Sequence, residues 1–228
     1  MTTGQELFQK DWTLKTEMDS AKAWDTRLRG AERKHGFDRG FHLLYSPWKT
    51  LATPKAIFLS LNPSEAPEGA DIRKVSDERG NSYWVERRTT KSKITAQFLL
   101  MCDFLELSHE EVLAGTFSPF RSDRWKDLSL EQRKAGISIG EEFWGDVLAN
   151  TTAQVLIACC PEAARFGAEV WQLEEKQKLP SGWGNYTIDR WEGSGRLVVR
   201  LPHLSTFQLF SRPQCFPCLE AAFEDHTD

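Results

Sequence analysis

Two polar side chains follow apolar runs that stop abruptly. Asn62 comes after Ala56-Ile57-Phe58-Leu59-Ser60-Leu61, and His203 after Leu197-Val198-Val199-Arg200-Leu201-Pro202. Each run reads as a buried strand ended by a proline, Pro63 or Pro202, because proline cannot donate to a ladder. Ligands of parallel α/β sheets bind outside the carboxyl ends of the strands, so the two ends are expected to converge on one pocket. There an amide and an imidazole facing each other would be able to do chemistry. Ser64 and Glu65 follow the first end and Ser205 the second, and Glu65 is the carboxylate nearest the expected pocket in sequence.

Positioning such a pair requires strands that alternate with helices. Apolar runs predict four central strands, at Ala56 to Leu61, Gly115 to Ser118, Gln154 to Cys159 and Arg196 to Leu201. Between them, helical spacing predicts helices at 94–105, 129–134, 139–148 and 161–170, with another at 21–34 and a last one from about Pro217. This alternation is the signature of a parallel sheet covered by helices. The 64–93 stretch, rich in Pro, Gly, Asp and Arg, is too long for a routine connection, and such loops are functional or disordered. It carries Tyr83 and Trp84, which are placed either to stack on a ligand ring or to pack beneath the loop. Segment 178–195, with glycines around Tyr186-Thr187-Ile188, predicts a hairpin or flap.

The chain of 228 residues has 40% hydrophobic and 27% charged residues and nine tryptophans, an ordinary globular composition with a high aromatic load. One domain is expected over 1–228, with a helical extension at 1–36 and a terminal helix plus acidic tail at 213–228. A formal charge of -4 argues against coating nucleic acid by electrostatics alone. Local basic clusters stand at Arg87, Arg88, Lys91 and Lys93, and at Arg121, Arg124 and Lys126. No run of about 18 apolar residues spans a bilayer. Five cysteines, two of them adjacent in a strand, suit a reducing compartment, so a cytoplasmic monomer with no membrane partner is expected, nucleoid-associated if bacterial.

The pair Ser60-Leu61-Asn62-Pro63 and His203-Leu204-Ser205 resembles the two active-site motifs of the uracil-DNA glycosylase superfamily. Thr116-Phe117-Ser118-Pro119-Phe120-Arg121 resembles that family's middle strand, and Val155 to Ala164 its third strand and following helix. The likeness spans roughly residues 40 to 212. It implies a three-layer α/β/α sandwich around a four-stranded parallel sheet, and hydrolysis of the bond to uracil or a related base flipped out of DNA. Asn62 would hold the water and His203 would face the leaving pyrimidine. Leu61, Pro63, Ser64, Glu65, Tyr83, Thr116, Phe117, Arg121, Ser205 and Phe207 would contact base or DNA, with Phe207 and Leu209 either a wedge or a buried helix face.

The chain departs from that pattern at Ser60, where the family has glycine, at Leu204, where it has proline, and at Thr116, where it has a base-reading asparagine. A hydroxyl cannot present the paired donor and acceptor of an amide, which points to a base other than uracil or to several bases. No cofactor is expected. Cys215-Phe216-Pro217-Cys218 has the spacing of only half a zinc site, and dinucleotide and triphosphate fingerprints are absent. The alternative reading is a non-catalytic nucleobase-binding, DNA-binding or protein-interaction module on the same fold.

Overall fold

The structure is a computed structural model and describes residues 14–224. The beginning of the expected N-terminal extension and the end of the acidic tail lie outside the described residues. The elements are α1 (Leu14–His35), β1 (Phe41–His42), β2 (Ala56–Ser60), β3 (Arg73–Lys74), α2 (Ser82–Glu86), α3 (Lys93–Phe104), β4 (Val112–Thr116), α4 (Leu130–Asn150), β5 (Val155–Ala158), α5 (Pro161–Val170), β6 (Glu174–Pro180), β7 (Thr187–Gly193), β8 (Arg196–Arg200), α6 (Leu204–Phe207) and α7 (Phe216–Phe223).

The main sheet has six strands in the order β4-β2-β5-β8-β7-β6. Strands β4, β2, β5 and β8 are mutually parallel, and β7 and β6 are added antiparallel beyond β8. The fold is thus α/β, but with a mixed six-stranded sheet in place of the expected four-stranded parallel one. The 178–195 hairpin causes the difference: it hydrogen-bonds onto β8 and extends the sheet instead of standing off as a flap.

Side-chain alternation along the strands divides the interior into two cores. Ile57 and Leu59 of β2 face one core with Leu113, Leu156 and Val198. Leu28 of α1, Trp144 of α4 and Ala164 of α5 cover it. Ala56 and Phe58 face the other core, with Ala114, Ile157 and Val199, under Phe98 of α3 and Phe223 of α7. Helices therefore cover both faces of the sheet.

Two helices expected at 129–134 and 139–148 are one, α4. Ser129 and Gln132 form a capping box at its start. The gap left at 135–138 is helical too, and Gly140 lets the helix approach the chain leaving β4: a Cβ there would stand 1.9 Å from the Phe117 carbonyl oxygen. By contrast, α5 starts at Pro161 as expected, since proline costs nothing in a first turn.

The outer side of β4 is not open. Tyr45 N–H donates to Ala114 O (2.8 Å) and Thr116 N–H to Leu43 O (3.0 Å), so the Phe41–Tyr45 segment lies along that strand. Its first residues pair with β3 in a separate two-stranded parallel sheet, which draws the 64–93 connection toward the ends of β2 and β4. No helix among the described residues is long and apolar enough to cross a membrane.

Candidate functional site

All four parallel strands deliver their carboxyl ends to one side. After β2, sequence order passes to β4 on one flank and then returns to β5 on the other, and this reversal leaves a crevice at the end of β2. A cavity of about 830 Å³ opens there, with His42, Tyr45, Ser64, Glu65, Tyr83 and Arg121 among its walls.

Tyr83 reaches the cavity because short polar anchors hold its turn. Asn81 caps α2 by accepting from Tyr83 N–H, and its amide donates to His109 O (3.2 Å). Ser82 N–H donates to Tyr45 O (2.6 Å), and the Ser82 hydroxyl donates to Asp77 (2.9 Å). Burial alone would raise the Asp77 carboxyl, but hydrogen bonds from Arg79 and Ser82, with Lys74 nearby, bring it down to about 2. The long connection is thus an ordered wall built around a buried carboxylate.

The Tyr83 ring packs against Tyr45, Phe58 and Phe98 at centroid distances of 5.2, 6.0 and 4.5 Å. It is 2% exposed and its hydroxyl has no hydrogen-bond partner. Burial raises its pKa well above the ordinary tyrosine value. The Ser60 hydroxyl lies near enough to oppose that rise but does not meet the phenol in hydrogen-bond geometry. Of the two placements open to Tyr83, the ring takes the packed one. Trp84 remains at the surface, stacked on His109 and covered by Arg87.

His42 is a residue the sequence did not single out. It is 7% exposed, and its Nε2 has no partner. Burial, assisted by the positive charges of Arg121 and Lys74, pushes it down to about 3, so the ring is neutral at physiological pH. Tyr45, 4.3 Å from it between ring centroids, is pushed up to about 12 by burial. The available signal was a histidine and a tyrosine three residues apart in the apolar run before β2.

Arg121 belongs to the cavity and not to a basic surface cluster. It is 6% exposed and donates to Ile72 O (3.1 Å) and Ser64 O (2.8 Å), and burial lowers its pKa. It is held at the exit of β4 by its own N–H on Gly40 O (3.0 Å).

Asn62 lies two residues from the cavity wall. Its Nδ2 donates to Pro63 O (3.0 Å), Ser122 O (3.3 Å) and Ser122 Oγ (2.9 Å). Two carbonyl acceptors fix which end of the amide is nitrogen. Oδ1 accepts nothing from the described residues and is not a buried orphan, so it is available to water. His203 precedes the first turn of α6 and keeps contact with solvent. The protein mass around it still removes enough water to lower its pKa. Its Nδ1 is 2.7 Å from the Ser205 hydroxyl; in the tautomer where Ser205 donates, the ring proton stands on Nε2. No hydrogen bond among the described residues joins Asn62 to His203, and the 830 Å³ cavity takes its walls from neither.

The remaining expected site residues, Glu65 at the cavity wall apart, fall elsewhere. Thr116 is fully buried and donates its hydroxyl to His42 O (2.7 Å), outside the cavity walls. Phe117 is core, packed on Phe166, and half-buried Leu61 packs against the same core. Pro63 is buried and gives its carbonyl to Asn62 and Ser122. Phe207, half-buried, packs on Tyr186 at 4.0 Å between centroids and so fills a helix face. Glu65 is exposed and paired with Arg39, which also holds Asp123 at 3.1 Å. Among the described residues, no group of three or more His, Cys, Asp or Glu is placed to hold a metal ion. Compared with models of known families and with curated proteins, the chain matches none.

Proposed function

We propose that the protein hydrolyses the N-glycosidic bond of a modified base in DNA, with Asn62 orienting the water and His203 facing the leaving base, beside the cavity at the carboxyl ends of β2 and β4. The observation that carries this reading is the gathering of Ser64, Glu65, Tyr83 and Arg121 around one cavity at the carboxyl ends of β2 and β4. Two further features support it. Tethering of Nδ2 leaves Asn62 Oδ1 as an acceptor for water, and Ser205 prepares His203 to donate from Nε2 while neutral. Strands β2 and β8 are separated by β5 alone, which sets their backbones about 10 Å apart, room for one ring between two hydrogen-bonding groups.

A neutral donor aimed at the developing anion contributes about 3 kcal/mol, or about a hundredfold in rate. Labelled oligonucleotides carrying different modified bases, cleaved by alkali at abasic sites, test the reading. Asn62→Ala and His203→Ala should each slow excision about a hundredfold. Excision of no base, or excision indifferent to both substitutions, refutes it. The burial of the Thr116 hydroxyl against His42 O favours a second reading, base binding without excision, for which binding without product is the expected result.

A further inference from the structure

Cys215-Phe216-Pro217-Cys218 takes no part in the site described above, and the fold gives this pair of thiols a definite arrangement. Cys215 is the residue that caps α7, and Cys218 lies in the first turn of that helix. Cys215 has helical backbone angles (φ -87°, ψ -19°) and closes a short turn that begins at Pro213. A helical step of three residues sets two Cα atoms about 5 Å apart, within the roughly 4.4–6.8 Å that a disulfide spans. Side chains at that spacing share one face of a helix. Leu219, Ala222 and Phe223 lie in the same core as Cys215, which makes this the inward face, and Cys218 packs against the core from its rim.

Exposure divides the roles of the two sulfurs. Cys215 is fully buried, whereas Cys218 is half-buried beside exposed Phe216 and Pro217, so an oxidant meets Cys218 first. On its other side Cys215 is covered by the β6–β7 turn, where a Cβ at Gly182 would stand 2.8 Å from Cys215 Cα. Burial pushes the Cys215 thiol up, the Arg212 guanidinium pulls it back, and a charge on Cys218 raises it again, so both groups act on this sulfur from close by. Arg212 is held there: its guanidinium lies 3.5 Å from the Trp183 ring centroid, and its carbonyl accepts from Cys215 N–H (2.9 Å).

The other cysteines offer no competing pair at the surface. Cys102, Cys159 and Cys160 are buried, and the neighbours Cys159 and Cys160 point into opposite cores at the end of β5. Among the described residues no third ligand completes a metal site with Cys215 and Cys218. Two thiols in a C-x-x-C spacing, one reachable and one behind it, are suited to exchange of electrons.

We propose that Cys218 and Cys215 are a redox-active dithiol that a peroxide closes to an intramolecular disulfide. The Cys218 thiolate attacks one oxygen of hydrogen peroxide, the O–O bond breaks, and the other oxygen takes a proton and leaves as water; the sulfur becomes a sulfenic acid. Cys215, its thiolate favoured by Arg212, then attacks the Cys218 sulfur. The S–S bond forms, the S–O bond breaks, and the departing hydroxide takes up the proton that Cys215 gave up, as a second water. Two thiols are oxidised and one peroxide is reduced. A small dithiol reopens the bridge by exchange, and in a reducing compartment the pair stays open until the oxidant arrives. The inference is independent of base excision, because neither sulfur belongs to the cavity or to the Asn62 and His203 loops.

The test treats the reduced full chain with equimolar hydrogen peroxide, then counts thiols and maps peptides without reduction. Two of the five thiols should be lost together. The peptide holding Cys215 and Cys218 should be lighter by two hydrogens, and dithiothreitol should restore both thiols. Cys215→Ala should stop at the sulfenic acid, so that dimedone labels Cys218 in this variant and not in the wild type. Cys218→Ser, a change at the rim of the core, should keep every remaining thiol through the same treatment. The wild-type map decides the matter by itself if Cys215→Ala does not fold. Survival of all five thiols, a bridge to any other cysteine, a dimer linked through Cys218, or a sulfenic acid that persists in the wild type overturns the inference.

Discussion

Acidification should destabilise the protein through His42, and the size of the effect follows from its burial. Its pKa falls from an unfolded value of 6.5 to about 3 in the folded chain. The folded state thus resists protonation while the unfolded state accepts a proton, so stability is complete above pH 6.5 and is lost as pH falls toward the folded value. At about 1.4 kcal/mol per unit of separation, the loss is about 2 kcal/mol between pH 7 and pH 5 and about 3 kcal/mol by pH 4. With a urea slope of about 2 kcal/mol per molar, the denaturation midpoint should move down by about 1 M between pH 7 and pH 5. His42→Gln keeps a polar side chain of similar reach but removes the titration. Burial also lowers His109 and His203, but both remain in the variant and cancel in the comparison. Urea unfolding followed by tryptophan fluorescence at several pH values is the assay. Parallel stability-versus-pH curves for wild type and His42→Gln would show that the ring is not held neutral by its surroundings and would remove it from the cavity argument.

Gly140→Ala should cost about 1–3 kcal/mol, measured as a lower urea midpoint, because the added methyl meets the Phe117 carbonyl and must displace α4 or the exit of β4. Ser122→Ala should slow excision about tenfold while lowering stability by only about 1 kcal/mol, since it releases one tether of the Asn62 amide; activity and thermal melts read the two effects. Thiol titration of the native protein should find one promptly reactive cysteine, Cys218. Cys102, Cys159, Cys160 and Cys215 are buried, and burial pushes Cys102 and Cys159 up to about 12.

Three of the four parallel strands were legible because each is an apolar run bounded by a breaker: Pro54 and Pro63 around β2, Pro161 just after β5, Gly195 and Pro202 around β8; β4, expected at 115–118, instead runs Val112–Thr116. Strand β6 was not, because Glu174-Glu175-Lys176-Gln177-Lys178-Leu179-Pro180 has no apolar alternation; it becomes a strand only by pairing with β7. The gap at 135–138 was the other miss: Gly136 there serves close packing against Ser118 inside α4 and not a break. In the site, the motif residues Asn62 and His203 lie at strand ends as read, but which wall each side chain faces depends on register and on partners far away in sequence. Thr116 shows this: its hydroxyl is taken by a carbonyl 74 residues earlier. His42 was invisible for the matching reason, since its burial arises only when its segment lies against β4.

Covering one margin of the sheet and leaving the other bare gives the molecule a polarity of assembly. The Phe41–Tyr45 segment occupies the flank of β4 beside the cavity, so a foreign strand cannot dock there without displacing the residues that shape the pocket. The opposite flank ends in β6, far from the pocket, with exposed Glu174, Gln177 and Lys178, an irregular register between Glu175 and Gln177, and a terminal proline. Charge, kink and missing donor together make it a poor template for aggregation. Being far from the pocket, the β6 margin can vary without disturbing the residues that line it.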